Sequence, residues 1–151
     1  MLKIGCWILT LWSALNLAAS LKIVVDTLFR GGHTPALYLL LSESDVQALA
    51  TDTLSTLDSI AVFANGLNVA FCALALCLIW RGLGRHKSWS FAALLLGFSA
   101  AWLAGVAADF VVGTAAPWVN VASFAILFIG FALSGAELYW KRPQAHRYVS
   151  R

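Results

Sequence analysis

Apolar residues run in four long stretches along this chain, at residues 4–25, 59–80, 90–112 and 118–140, and charged residues are nearly absent from all four. A helix rises about 1.5 Å per residue, so about 20 residues cross a hydrocarbon layer roughly 30 Å thick. Each run reaches that length. The pattern predicts an all-α fold, an antiparallel bundle of four transmembrane helices. Residues 1–151 then form a single four-span membrane domain, and 26–58 is the one extramembrane segment of any size.

Within that segment, Gly31-Gly32-His33-Thr34-Pro35 is a cluster of helix breakers and predicts a turn. Ser42-Glu43-Ser44-Asp45 has the form of a capping box. After it, Val46, Leu49, Leu54, Leu57 and Ile60 recur at helical spacing. This predicts a short amphipathic outer helix running toward the second span. Spans three and four are joined by little more than Gly113-Thr114-Ala115-Ala116, and Pro117 suits the first turn of span four. So short a link makes these two helices antiparallel neighbours. The first run has the Lys3 charge and small residues of a signal peptide, but its apolar stretch continues to Val25. That exceeds a signal h-region of about 7–15 residues, so it reads as a true span.

Composition agrees with a lipid environment. Hydrophobic residues make up 61% of the chain, charged residues 11%, and mean hydropathy is +0.82. A soluble domain carries about 25% charge. The pI of about 9.0 does not point to nucleic acid, because the basic residues flank the spans. There they orient the chain and meet anionic headgroups.

Charge also sets the orientation. Lys3 precedes span one; Arg81, Arg85 and Lys87 fill the link between spans two and three; Lys141, Arg142, Arg147 and Arg151 follow span four. Four crossings put all three groups on one side, and the positive-inside rule makes it the cytoplasm, with both termini there. Glu43, Asp45, Asp52 and Asp58 share the other side with Arg30. Trp7, Trp80, Trp89 and Trp140 fall at the cytoplasmic edge and Trp118 at the outer one, where an indole's apolar body and N–H donor both find partners. Trp12 and Trp102 lie deeper and read as packing residues.

Each span carries a polar or small stripe at steps of three and four, which keeps it on one helix face. The stripes include Asn16 and Ser20 in span one, Asp58, Asn65, Asn68 and Cys72 in span two, Asp109 in span three, and Asn120, Ser123, Gly130, Ser134 and Glu137 in span four. Lipid offers no partner to an amide, so Asn16, Asn65 and Asn68 are expected to face protein or water. The plainer reading is that the stripes hold the bundle together. On the alternative reading, Asn16, Asn65, Asn68, Asp109 and Asn120 line an outward-opening polar pocket, with Lys22, Asp26 and Asp58 near its mouth. Lys22 and Asp26 read first as an i,i+4 ion pair, as do Glu137 and Lys141. Gly97, Ala101 and Gly105, with Gly130, form small-residue faces expected to pack closely against neighbouring helices.

Catalytic and metal signatures are absent. His33, His86 and His146 lie outside the spans, and Cys6, Cys72 and Cys77 form no C-x-x-C. There is no H-E-x-x-H, G-x-S-x-G, Walker A or dinucleotide motif. No metal or cofactor is expected, and a non-catalytic role fits better than an enzymatic one.

Three functions follow as expectations. The first is an accessory, assembly or homo-oligomer-forming membrane protein. The second is binding or transport of a small solute or lipid through the outward cavity. The third is an enzyme acting on a lipid, quinone or sterol-like substrate through Lys22, Asp26, Asp58 or Asp109. A dry core favours the first, a continuous cavity between the stripes the second, and two titratable groups in a lipid-shaped pocket the third.

The segments Trp12-Ser13-Ala14-Leu15-Asn16-Leu17 and Arg81-Gly82-Leu83-Gly84-Arg85, with the four-span layout, resemble the small four-helix bacterial inner-membrane proteins called DoxX-like. The resemblance covers the whole chain in architecture. It implies a four-helix fold and a bacterial inner membrane, and leaves the activity open. The chain is also similar in size to the small multidrug-resistance transporters, but span one lacks their embedded glutamate.

Overall fold

The computed structural model describes residues 1–29, 43–112 and 117–140, and the side chains of all these except 43, 108–112, 117–120 and 140. The helices are α1 (Leu2–Phe29), α2 (Glu43–Ala48), α3 (Thr51–Cys77), α4 (Ser88–Val112) and α5 (Pro117–Trp140). There is no strand among the described residues. The four long helices are long and apolar enough to cross a membrane. Only 17–28% of each apolar window is buried inside the protein. Leu11, Leu15, Phe63 and Leu96 point outward. Water does not tolerate so continuous an apolar exterior, whereas acyl chains do. This is the surface of a multi-pass membrane protein.

The helices alternate in direction. α1 lies between α3 and α5, and α4 packs on α5. Paired residues give the registers: Ser20 meets Asn68 and Trp7 meets Trp80 across α1 and α3, while Leu2 meets Glu137 and Trp12 meets Ser123 across α1 and α5. One end of the bundle therefore holds Met1, the α3–α4 link and the close of α5; we call it the terminal end.

The core sits in the half nearer that end. Leu2, Cys6 and Leu9 of α1 meet Ala75, Ile79 and Leu83, Leu94 and Phe98 of α4, and Leu127, Phe131 and Leu138 of α5. Phe98, 2% exposed, is its hub: Trp12, Phe71 and Phe131 each stand edge-on to it, with centroids 5.2, 5.2 and 5.7 Å away. Such edge-to-face pairs add about 0.5–1.5 kcal/mol each beyond area burial. α1 and α5 approach closely at two glycines. A Cβ on Gly5 would lie 2.7 Å from the Gly130 carbonyl and overlap Ser134 Oγ, and one on Gly130 would lie 2.9 Å from Leu9.

Two elements differ from the expected layout. The amphipathic run after Ser44 is not one helix: α2 has six residues, the chain bends at 49–50, and α3 begins at Thr51 rather than near residue 59. The cause is a hydrophobic staple. Ala50 is extended (φ −62°, ψ 143°) at the N-cap, and Leu49 before it joins Val46, Leu54 and Leu57 in a small cluster. Asp52 in the first turn favours the helix start electrostatically. Second, α3 ends in a π turn, Leu78–Gly82, and a 3-10 turn, Leu83–Arg85, before His86 takes the left-handed conformation (φ 59°). The Lys87 N–H donates to the Gly82 carbonyl at 3.1 Å, and the Ser90 hydroxyl to the Lys87 carbonyl at 2.7 Å. Gly82 is required here, because a Cβ would overlap Ser90. The turn at 31–35, the Ser42 cap, the 113–116 link and residues 141–151 lie outside the described residues.

α4 lies close to the π and 3-10 turns but not to the body of α3. Only longer side chains bridge the gap: Phe71 reaches Phe98 and sits 3.1 Å from where a Gly97 Cβ would stand. Farther along, a Cβ on Gly66 or Gly105 would meet nothing within 4 Å.

Candidate functional site

A cavity of about 160 Å³ lies at mid-bundle, beside the gap between Asn68 of α3 and Gly105 of α4. All four long helices line it: Trp12 and Asn16 of α1, Asn68 of α3, Phe98, Ala101, Trp102 and Gly105 of α4, and Ser123 and Leu127 of α5. Helical spacing explains the set, since Trp12 and Asn16, and likewise Ala101 and Gly105, are four apart and share a face.

Its polar groups are partly committed. Trp12 Nε1 donates to Ser123 Oγ at 2.6 Å, tying α1 to α5. Asn68 Nδ2 donates to Ser20 Oγ at 2.7 Å, tying α3 to α1, and Cys72 Sγ lies 3.8 Å from Asn68 Oδ1. Asn16 Nδ2 donates to the Trp12 carbonyl at 2.9 Å within its own helix. Each amide keeps a second N–H, Asn16 keeps its Oδ1, and the Ser123 hydroxyl can still donate. Trp102 stacks on Phe124 with ring centroids 4.0 Å apart, which fixes an aromatic wall. No described lining residue is charged. The arrangement can hold a neutral group that both donates and accepts hydrogen bonds, and it has no described group that would transfer a proton.

Of the residues expected at a polar pocket, Asn16 and Asn68 meet there, and Asn65, Lys22, Asp26 and Asp58 do not line it. Asn65 Nδ2 bonds back to the Ala61 carbonyl at 2.8 Å, which gives the amide a partner within its own helix. Lys22 Nζ and Asp26 form an i,i+4 pair at 2.5 Å, with Lys22 71% exposed. Asp58 is half-buried on α3, ten residues from Asn68 and so about 15 Å along the axis. The side chains of Asp109 and Asn120 lie outside the described residues. The small-residue face of α4 needs correcting: Ala101 is exposed, Gly105 has open space, and both line the cavity. Of that face, Gly97 alone is close-packed, and against a side chain rather than a backbone. Trp12, Ser20 and Ser123 were not expected in this role. Ser20 and Ser123 lie on the polar stripes and Trp12 reads as a packing residue, but only the register pairs an indole with a hydroxyl.

A second, larger cavity of about 520 Å³ opens at the terminal end, lined by Met1, Leu2, Lys3, Cys6 and Trp7 of the α1 start, Trp80, Gly84 and His86 of the link, and Glu137 of α5. Trp7 and Trp80 meet edge-on at 5.2 Å. The Glu137 carboxylate accepts the Leu2 N–H at 2.7 Å and pairs with the Met1 amino group at 2.9 Å. It thus neutralises the positive end of the α1 dipole. Its expected partner Lys141 lies outside the described residues. Among the described residues, no group of three or more His, Cys, Asp or Glu could hold a metal.

No protein-family model, curated protein or solved structure matches the chain.

Proposed function

We propose that this multi-pass protein resides in a bacterial inner membrane with both ends cytoplasmic and binds a small neutral molecule in its mid-bundle cavity. The observation that carries the reading is the convergence of two asparagine amides, a serine hydroxyl and an indole on one uncharged cavity. A dry, packed core would have left no such space. Burying an unpaired charge there would be costly, so a neutral ligand fits and an ion does not. The volume is small for a drug-sized ligand, which takes about 300–1,000 Å³. It is close to the roughly 150 Å³ that accommodates a benzene ring. The occupant is then a compact solute or the head of an amphiphile, reached from lipid between α3 and α4.

An enzymatic reading draws less support, because Lys22, Asp26 and Asp58 stand outside the cavity. An assembly reading rested on the small residues of α4, of which Ala101 and Gly105 line space instead. The orientation is supported by Lys3, Arg81, Arg85 and Lys87 at one end against Asp45, Asp52 and Asp58 toward the other. Bacterial origin rests on the resemblance alone.

The test is mass spectrometry of small molecules that co-purify in mild detergent. Wild-type protein should carry a neutral species that falls about tenfold in Asn68→Leu and in Gly105→Leu, with both variants folded. Equal retention in both would remove the cavity from the function. For orientation, Ser44→Cys should label from outside intact cells and His86→Cys should be protected; the reverse pattern would invert the topology.

A further inference from the structure

We propose that the terminal-end cavity seats the phosphodiester headgroup of an anionic phospholipid. Its volume, about 520 Å³, falls in the range of ligand pockets. The Lys3 ammonium and the His86 imidazole line it, and Arg81, Arg85 and Lys87 are exposed on the same short link as His86. None of these five side chains has a hydrogen-bond or ion-pair partner among the described residues. The single described carboxylate in the lining, Glu137, is already engaged by the Leu2 N–H and the Met1 amino group. Among the described residues the unmatched charge at this end is therefore positive, with Lys3 on the cavity itself and Arg81, Arg85 and Lys87 on the adjoining link.

The backbone builds this arrangement. The π turn at Leu78–Gly82 places Trp80 against Trp7, and the 3-10 turn and left-handed His86 bring Gly84 and His86 to the same cavity. A π turn interrupts a regular helix and recurs at functional sites. A non-glycine residue at φ 59° is uncommon and requires the surroundings to hold it.

A lipid rather than a free phosphate is indicated by what adjoins the charge. Trp7 and Trp80 are indoles of the kind that settle at headgroup level. From Trp7 the exposed face of α1 continues through Leu11 and Leu15 at helical spacing, an apolar track for an acyl chain. Basic pockets between membrane helices on the cytoplasmic side bind acidic headgroups by this combination of charge and stem. The site is independent of the mid-bundle cavity, and shares no described lining residue with it.

The test is thermal melting of the full chain in a neutral detergent, followed by tryptophan fluorescence, with native mass spectrometry counting bound lipid. Phosphatidylglycerol should raise the midpoint by a few degrees, while phosphatidylcholine and inorganic phosphate should not. The double variant Lys3→Gln/His86→Asn should lose at least half of that rise and most of the bound lipid. Asparagine is chosen because it tolerates the left-handed conformation. Should the double variant fail to fold, Lys3→Gln alone is read the same way. Asn68→Leu should keep the full rise, which separates this site from the proposed function. An equal rise with phosphatidylcholine, an equal rise with inorganic phosphate, or a full rise in the Lys3 and Lys3/His86 variants would each overturn the proposal.

Discussion

The mid-bundle and terminal-end cavities differ in every property that selects a ligand. The mid-bundle one is small, uncharged and walled by all four long helices, with Asn16, Asn68, Trp12 and Ser123 supplying its polarity. The terminal-end one is about three times larger (520 against 160 Å³), charged, and built from a helix start, a turn and one carboxylate. The contrast follows depth. Where hydrocarbon surrounds the protein, polar groups must be neutral and mutually bonded. Where headgroups and water are within reach, a lysine or histidine can stand without a protein partner. Between the two lies the α1–α5 seam at Gly5, Leu9, Gly130 and Ser134, which has no room at all.

Breaking the seam should have the largest effect. Gly5→Leu forces a side chain into the Gly130 carbonyl and Ser134, at a cost of about 3 kcal/mol or more. Melting in detergent should fall sharply and both cavities should be lost; an unchanged midpoint would mean that α1 and α5 are not in contact here.

A paired substitution on α4 separates packed from open regions. Gly97→Leu must displace Phe71 and should cost about 1–2 kcal/mol. Gly105→Leu meets open space and should leave the melting midpoint near wild type while filling the cavity. Equal destabilisation by the two would show that the gap between α3 and α4 is closed.

The sequence made the spans legible because bilayer thickness dictates the length of an apolar run, and the segregation of Lys and Arg dictates direction. The interior was only half legible. Periodicity put Asn16, Asn65 and Asn68 on stripes, yet a stripe has no register. Only the antiparallel alignment of α1 and α3 brings Asn68 to Ser20 and leaves Asn65 with its own backbone. Similarly, Ala101 and Gly105 read as a contact face because small residues permit close approach; they do not compel it. The partners of Glu137 on α1 are more than a hundred residues away in sequence and leave no local signal beside its i+4 neighbour Lys141.

That difference between asparagines gives a finer test. Asn68→Leu removes an interhelical bond and should cost about 1 kcal/mol, the range of such bonds in membranes. Asn65→Leu should change stability by less than about 0.5 kcal/mol. Comparable losses at the two sites, measured by reversible unfolding in mixed micelles, would place Asn65 at a helix contact. Smallest of all, Lys22→Gln breaks an exposed i,i+4 pair and should cost about 0.5 kcal/mol or less, without altering either binding site.

The link that joins α3 to α4 works as a fulcrum. Gly82 and Ser90 clamp the two helices at one end, and Phe71 spans them farther on. Ala101 stands thirteen residues beyond Ser88, a lever arm of about 20 Å, so a rotation of about 5° at the clamp moves it by roughly 2 Å. Helices meet a change in bilayer thickness by tilting. A change in the tilt of α4 about this clamp would therefore widen or narrow the mid-bundle opening while leaving the clamped end where it is.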